Sequence, residues 1–299
     1  MIERGIKTGG IGPYLFILPM LIGVGIFGFG CLFYIFRLSF TKTNLLISEF
    51  VGLENYQYVL FKKKWFFLAL LHTSYYAAWA IPLKLSIALG LALAMYRKIR
   101  FGSFFRFAYL MPWVSSAVII ALIFRYIFNP QWGIVNWVLG QFGFSRVMWT
   151  ENFLVAIPVI ALMESWQYMG FGMILFLGAL NTIPEEVQEA ASLEGANGFQ
   201  RFYYVTLPLL KPTIFFYVAI SIIGAFGIFD SVYGFLEGTP GGDAATQIFT
   251  SPVLVCSYFI YLIGFRMFAF GKAAAIALLM FILVFSAIMV ERYLMREAA

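Results

Sequence analysis

PYLFILPMLIGVGIFGFGCLFYIF, residues 13–36, decides the class of fold. Its 24 residues carry no charge, and as a helix they would reach about 36 Å, enough to cross the hydrocarbon core of a bilayer. Arg4 and Lys7 precede the run, as in a signal peptide. The run is too long for a signal-peptide core, and no small-residue cleavage site follows, so it is expected to stay as a membrane anchor. The whole chain agrees: of 299 residues, 62% are hydrophobic, 20% aromatic and 11% charged. A soluble domain of that length needs far more charge to cover its surface.

Working outward, further apolar stretches lie near 67–95, 104–128, 153–178, 212–236 and 270–290. The expectation is an all-α polytopic membrane protein with about six transmembrane helices, forming a single transmembrane domain over residues 1–299. The stretch 253–265 has only 13 residues and follows Pro252, too short to cross, so an interfacial or re-entrant segment is expected. Counting it as a span would put the two termini on opposite sides. With the N-terminus inside, cytoplasmic segments hold Arg4, Lys7, Arg97, Lys98, Arg100, Arg106, Arg201, Lys211, Arg292 and Arg296. Lys42, Lys62, Lys63, Lys64 and Arg146 fall outside and argue the other way. The Arg97–Arg106 cluster and the N-terminal pair outweigh them, placing both termini in the cytoplasm. The second span carries Ser86, Gly90 and Ala94 at four-residue spacing, with Ala88 and Ala92 read as a neighbouring row, a pattern that lets helices approach closely in lipid.

The formal charge of +6 fits anchoring of cytoplasmic loops better than nucleic acid, since no basic stripe interleaves with exposed aromatics. Cys31 and Cys256 sit in apolar surroundings and read as small core residues. His72 is the single histidine and reads as packed or interfacial. No zinc cluster or disulfide framework can be built from this inventory. Nor is there a G-x-x-x-x-G-K-[ST] stretch, because Gly271-Lys272 is followed by alanine and lacks the upstream glycine.

One segment does not belong in lipid: NTIPEEVQEAASLEGANGFQRFYYVTLPLLKP, residues 181–212, whose core 181–211 is polar. Thr182 with Glu185 forms a capping-box pattern, Pro184 suits a first turn, and Glu185, Glu186 and Glu189 complement the helix dipole. Gly195 can take the left-handed conformation that stops the helix, and Asn197 can cap a second helix through Tyr204. Val187, Ala190, Ala191 and Glu194 share one narrow face. Such a face can seat in a partner's groove, or the segment can be a helical connecting loop. The residues alone fit both.

Glu189-Ala190-Ala191, then Gly195, then Val205, Leu207 and Pro208, resembles the EAA signature of binding-protein-dependent ABC importer permeases. Other parts, in order along the chain, are similar to the sugar-importing branch of the maltose, lactose and glycerol-phosphate type: Val51-Gly52-Leu53-Glu54-Asn55-Tyr56; Leu110-Met111-Pro112-Trp113; Phe128-Asn129-Pro130 with Gly133 and Asn136; Trp166-Gln167 with Gly170 and Phe171; and Phe229-Asp230. The match runs from about residue 14 to 290. The chain departs from the family in having Glu194-Gly195-Ala196 where Asp-Gly-Ala is usual, and Glu237-Gly238-Thr239-Pro240-Gly241-Gly242 where a Thr-x-Gly-Gly-Pro stretch is usual.

The resemblance implies an ABC importer permease fold with a cytoplasmic coupling helix, in which Glu189, Ala190, Ala191 and Gly195 are the ATPase-coupling residues. Glu189 would pair with a basic group on the ATPase, and Gly195 would set the turn. It also implies the partners: a second homologous permease, an ATPase dimer carrying ATP and Mg, and an extracytoplasmic substrate-binding protein, all at a bacterial cytoplasmic membrane. This chain would carry no cofactor and no metal, and would be no enzyme. A sugar or oligosaccharide would pass by alternating access.

For the substrate pathway, Glu164 falls midway along the fourth span, where an ionisable group needs a cavity or a partner. Tyr168 and Phe171 follow on the same face, and a carboxylate beside two rings suits sugar hydroxyls and apolar sugar faces. The family's transport site lies between the fourth and fifth spans, which brings in Ser221, Gly224 and Ala225. Glu164 could instead pair with Lys84, deep in the second span beside Pro82. Asp230 and Tyr233 could contact a docked binding protein, gate the site or anchor at the interface, while Arg125 and Arg266 read as headgroup anchors. A non-sugar ABC permease would lack the Val51–Tyr56 stretch. A secondary transporter would show inverted repeats and several intramembrane carboxylates, and neither is present. A membrane enzyme lacks a nucleophile–base pair.

Overall fold

A computed structural model of the chain describes residues 12–43, 48–62, 64–96, 100–236 and 252–297. Among these, four helices are long and apolar enough to cross a membrane, or six if two sharply bent helix pairs each count as one span. The first span is α1 (Gly12–Gly23) and α2 (Cys31–Ser39), joined without a break by wide helical turns over Val24–Gly30. Its membrane-length window buries nothing within this chain. Its second part, α2, packs against the last helix. Cys31, expected in a core, is exposed there. An apolar sequence neighbourhood means core in water, but in lipid it also means surface.

A small platform follows. Strands β1 (Thr41–Thr43) and β2 (Ser48–Phe50) form an antiparallel hairpin, with Thr41 opposite Phe50. This is a minor departure from an all-α chain. The Val51–Tyr56 stretch turns into the short α3 (Glu54–Gln57), where buried Asn55 donates to the carbonyls of Ser39 and Thr41 at 2.9 and 2.8 Å. The Tyr56 hydroxyl meets Ser39 Oγ at 2.7 Å. These bonds fasten the end of the first span to the loop after it.

The centre is the long helix α4 (Trp65–Tyr96) laid along α8 (Phe153–Leu180), the most extensive helix pairing in the fold. Ala69, Thr73, Ala77, Ala80, Lys84, Ala88 and Ala92 form the buried face of α4. Ala88 and Ala92 pack as expected, but Ser86, Gly90 and Ala94 are exposed. Two residues along a helix is a rotation of about 200°, so the two rows lie on nearly opposite sides and only one can face α8.

Residues 104–128 are not one continuous span. Helices α5 (Gly102–Val114) and α6 (Ala117–Ile127) meet at 94° across Ser115 and Ser116, both extended. Pro112 lacks the N–H that a continuing helix would use. The Ser115 hydroxyl turns back to Met111 O at 3.0 Å, and Gln167 of α8 donates to Ser115 O at 3.2 Å. α7 (Ile134–Gln141) follows. There Asn136 holds Pro130 O, Val147 O, Val147 N and Trp149 Nε1, four bonds between 2.9 and 3.2 Å.

The apolar stretch 212–236 is likewise divided. The short α11 (Leu207–Leu209) leads across a 68° bend, the second of the two bent pairs, into α12 (Lys211–Phe226), which stops at Gly227, and α13 (Asp230–Leu236) packs on α6. The 253–265 stretch becomes α14 (Cys256–Tyr261) with wide turns to Arg266. It is not laid on the outside: Val253, Leu254, Val255 and Cys256 are buried in the main core. His72 Nδ1 accepts from Leu254 N at 3.0 Å and Thr73 Oγ1 from Cys256 N at 2.9 Å, so α4 supplies the acceptors that this buried backbone needs. α15 (Phe270–Glu297) closes the bundle against α2, α12 and α14.

Gly170 sets how closely α5 approaches α8. A Cβ there would collide with the backbone of Tyr109 and Leu110. We expect Gly170→Ala to lower stability by about 1–3 kcal/mol, read as a shift in the SDS- or heat-induced unfolding midpoint of the purified chain. Gly140→Ala, with open space around it, serves as the control and should leave the midpoint in place.

Candidate functional site

The two helix breaks open a cavity of about 480 Å³ against α4, α8 and α12. At its floor, Lys84 Nζ lies 3.0 Å from Glu164 Oε2, and both side chains are only 9% exposed. The hydroxyl of Ser231, on α13, donates to the other carboxylate oxygen. The Lys84 ammonium also sits 4.6 Å from the centre of the Tyr168 ring. Neither charge is tolerable alone at this depth, and together they form a neutral, hydrogen-bonded cluster joining α4, α8 and α13. The walls are aromatic: Trp113 stacks on Phe171 with ring centres 5.3 Å apart, and Tyr217 and Phe229 line the cavity further along. Such walls offer flat apolar faces with polar groups at the floor.

The sequence candidates divide cleanly. Glu164, Tyr168, Phe171, Ser221 and Gly224 all line the cavity, while Ala225 is fully buried in the core. One residue along a helix is a turn of about 100°, so Gly224 and Ala225 cannot share the opening. Glu164 pairs with Lys84, and it also faces the cavity. Trp113 and Ser231 are lining residues that the sequence reading does not reach, and Asp230, read as contacting a binding protein, gating the site or anchoring at the interface, lines the cavity. The signals were Pro112, which announces a break beside Trp113, and Gly227, which ends α12 just before Asp230.

A second feature projects from one end of the bundle. α9 (Glu185–Leu193) begins after Pro184, which occupies the cap position without a side-chain bond. Thr182 does not cap: its hydroxyl donates to Ala179 O at 2.8 Å, still serving α8. Pro184 explains the displacement, because it favours extended backbone at the residue before it and its own position at the helix start. The far end follows the sequence closely. Gly195 has φ +84°, and two bonds, Gly195 N to Ser192 O at 3.1 Å and Ala196 N to Ala191 O at 3.0 Å, close the helix. Asn197 and Gln200 then form a reciprocal capping box at the start of α10 (Gly198–Arg201). Gln188 ties this hairpin to Thr206 at 3.2 Å. Glu189 and Ala190 are exposed and Ala191 is half-buried. Leu193, 89% exposed, lies beside them, with Phe199, Tyr203 and Tyr204 also exposed.

Broken membrane helices around a central cavity, with an exposed helical hairpin at one end, define a polytopic permease. The chain belongs to the family described as binding-protein-dependent transport system inner membrane component, whose model matches residues 86–298. Among its relatives is the arabinooligosaccharide transport system permease of Halalkalibacterium halodurans, 30% identical over 285 residues, covering 94% of this chain and 87% of the relative. The trehalose/maltose transport system permease of Thermococcus litoralis is 30% identical, covering 91% and 90%. The lactose transport system permease of Rhizobium radiobacter is 30% identical, covering 96% and 95%. A solved bacterial ABC transporter for the acidic polysaccharide alginate shares the fold, with a TM-score of 0.78 at 21% identity over 95% of this chain and 94% of that one. The alginate transporter in complex with its pentasaccharide-bound periplasmic protein gives a TM-score of 0.79 at 20% identity.

Removing one member of the buried pair should cost far more than removing both. Glu164→Gln leaves Lys84 unpaired and is expected to destabilise by about 2–3 kcal/mol, below the range for a dry pair because the cavity reaches one side. Adding Lys84→Met should restore most of that loss, so a double-mutant cycle on unfolding midpoints is expected to show strong coupling.

Proposed function

We propose that this chain is one permease subunit of an ATP-driven importer, passing a sugar or oligosaccharide across the bacterial cytoplasmic membrane by alternating access. The observation that carries the reading is the exposed hairpin of α9 and α10. A polar, acid-rich helix with Leu193 and three aromatic side chains turned outward has no purpose in lipid and every feature of a docking element. It is the coupling helix, with Glu189, Ala190, Ala191 and Gly195 seated in a cleft of a separate ATPase subunit. That partner binds ATP and Mg and carries out hydrolysis. A rigid hairpin fixed at Gly195 passes the ATPase movement into α8 and α12, between which the cavity lies.

The hairpin end is the cytoplasmic end, and both termini lie on that side. A second homologous permease completes the pathway, an ATPase dimer docks below, and an external binding protein delivers the substrate above. Carbohydrate is supported by the named substrates of the relatives and by the cavity itself. Its stacked aromatic wall fits the apolar faces of sugar rings, while Glu164, Ser221 and Asp230 offer partners for hydroxyls.

The test is co-purification through a tag on this chain, followed by ATPase assays in lipid with sugar-loaded binding protein. An ATPase should copurify and be stimulated. Glu189→Lys and Gly195→Val should each abolish the stimulation, since one reverses the docking charge and the other forbids the positive-φ turn. A chain that purifies alone and moves solute in liposomes without ATP would be a secondary transporter, and the proposal would fall.

A further inference from the structure

The charged side chains lining the cavity are Lys84, Glu164 and Asp230. Lys84 and Glu164 cancel each other at 3.0 Å. Ser231 also bonds the carboxylate, and the Tyr168 ring lies against the ammonium. Asp230, at the first position of α13, is exposed and makes no ion pair among the described residues. Among the described lining residues the cavity therefore holds one uncancelled negative charge, and its one cation, Lys84, is already paired with a carboxylate.

The walls around that charge are apolar and aromatic, and low-dielectric walls concentrate the field of a charge within a cleft. A sugar carrying a carboxylate would shed water on entering, meet Asp230, and find Lys84 already committed to Glu164. Desolvation and repulsion would both oppose it. An uncharged sugar meets neither penalty, and its hydroxyls can donate to Asp230 while a ring lies on the Trp113–Phe171 stack. On the reading of the chain as a sugar permease, we infer that the cavity selects uncharged glycans against carboxylate-bearing ones, with Asp230 as the selecting charge. The solved transporter that shares this fold imports an acidic polysaccharide, so the fold itself is neutral on the matter and the lining charge decides.

The experiment uses the assembled importer in proteoliposomes with its own binding protein. The probes are maltotriose, arabinotriose and lactose, each paired with the same sugar oxidised at one C6 or terminal carbon to a carboxylate. The readout is the ratio of initial uptake rates, neutral over oxidised, in wild type, Asp230→Glu, Asp230→Asn and Asp230→Lys. Because the binding protein is the same throughout, any change in the ratio belongs to this chain. The wild type and Asp230→Glu should favour the neutral sugar equally. The ratio should fall on the order of tenfold in Asp230→Asn and further in Asp230→Lys. A ratio that stays flat across the series, or a wild type that prefers the oxidised sugars, overturns the inference and leaves the sugar-importer reading standing. If no sugar of either kind is taken up while a different solute drives the ATPase, the importer's substrate reading fails and takes this inference with it.

Discussion

A polypeptide that breaks its helix inside a bilayer must find partners for the amides and carbonyls it frees, because hydrocarbon supplies none. This constraint organises the molecule. The break at Ser115–Ser116 is tolerated because Gln167 reaches from α8 to the freed carbonyl. The short helix α14 is tolerated because His72 and Thr73 on α4 accept from its leading amides. The break between α12 and α13 brings Ser257 to the Ile228 carbonyl and Ser231 to Glu164. In each case a polar side chain that would be costly in lipid is placed where broken backbone or a buried charge needs it.

The α4–α8 pair makes those placements precise. The buried face of α4 is rich in alanine, and that of α8 combines Ala156, Ala161 and Gly172 with Ile157, Ile160, Met163 and Met173, so small residues let the helices approach closely while larger ones fill the contact. His72, Thr73 and Gln167, which serve two of the broken segments, are mounted on this pair, as are both members of the ion pair. The irregular segments are thus hung on a stiff spine. That arrangement lets a cavity exist between elements that would otherwise collapse together.

How much of this could be read from the sequence follows from what lipid does to sequence signals. Long apolar runs locate helices well, because length and charge exclusion are strict. Gly195 and Asn197 located the hairpin turn for the same reason, since local capping chemistry needs no tertiary context. Whatever depends on direction around the helix was poorly legible. In water the polar side of a helix marks its surface. Here both sides of α4 are apolar, so Ser86, Gly90 and Ala94 looked as suitable for packing as Ala88 and Ala92, and Cys31 looked like core. The helix breaks were hidden because the residues on either side remain apolar, leaving only Pro112 and Gly227 as marks. Asp230 and Trp113 belong to the cavity through those breaks, so they could not be tied to Glu164 until the breaks were known. Ala225 failed for a simpler reason: adjacent residues on a helix do not share a face.

The contrast between two neighbouring glycines has a consequence for the history of the chain. Gly172 faces the side chains of Ala88 and Tyr217, at 2.5 and 2.6 Å from where a Cβ would lie. Both neighbours could shrink, so a lineage could lose this glycine and recover by further side-chain substitutions. Gly170 faces the peptide backbone of Tyr109 and Leu110, which every amino acid shares. No exchange of side chains on α5 can make room there. The position is therefore a one-way commitment: once α5 came to rest against bare backbone, descendants could vary the substrate, the lining and the partners, but could leave that glycine only by moving a whole helix.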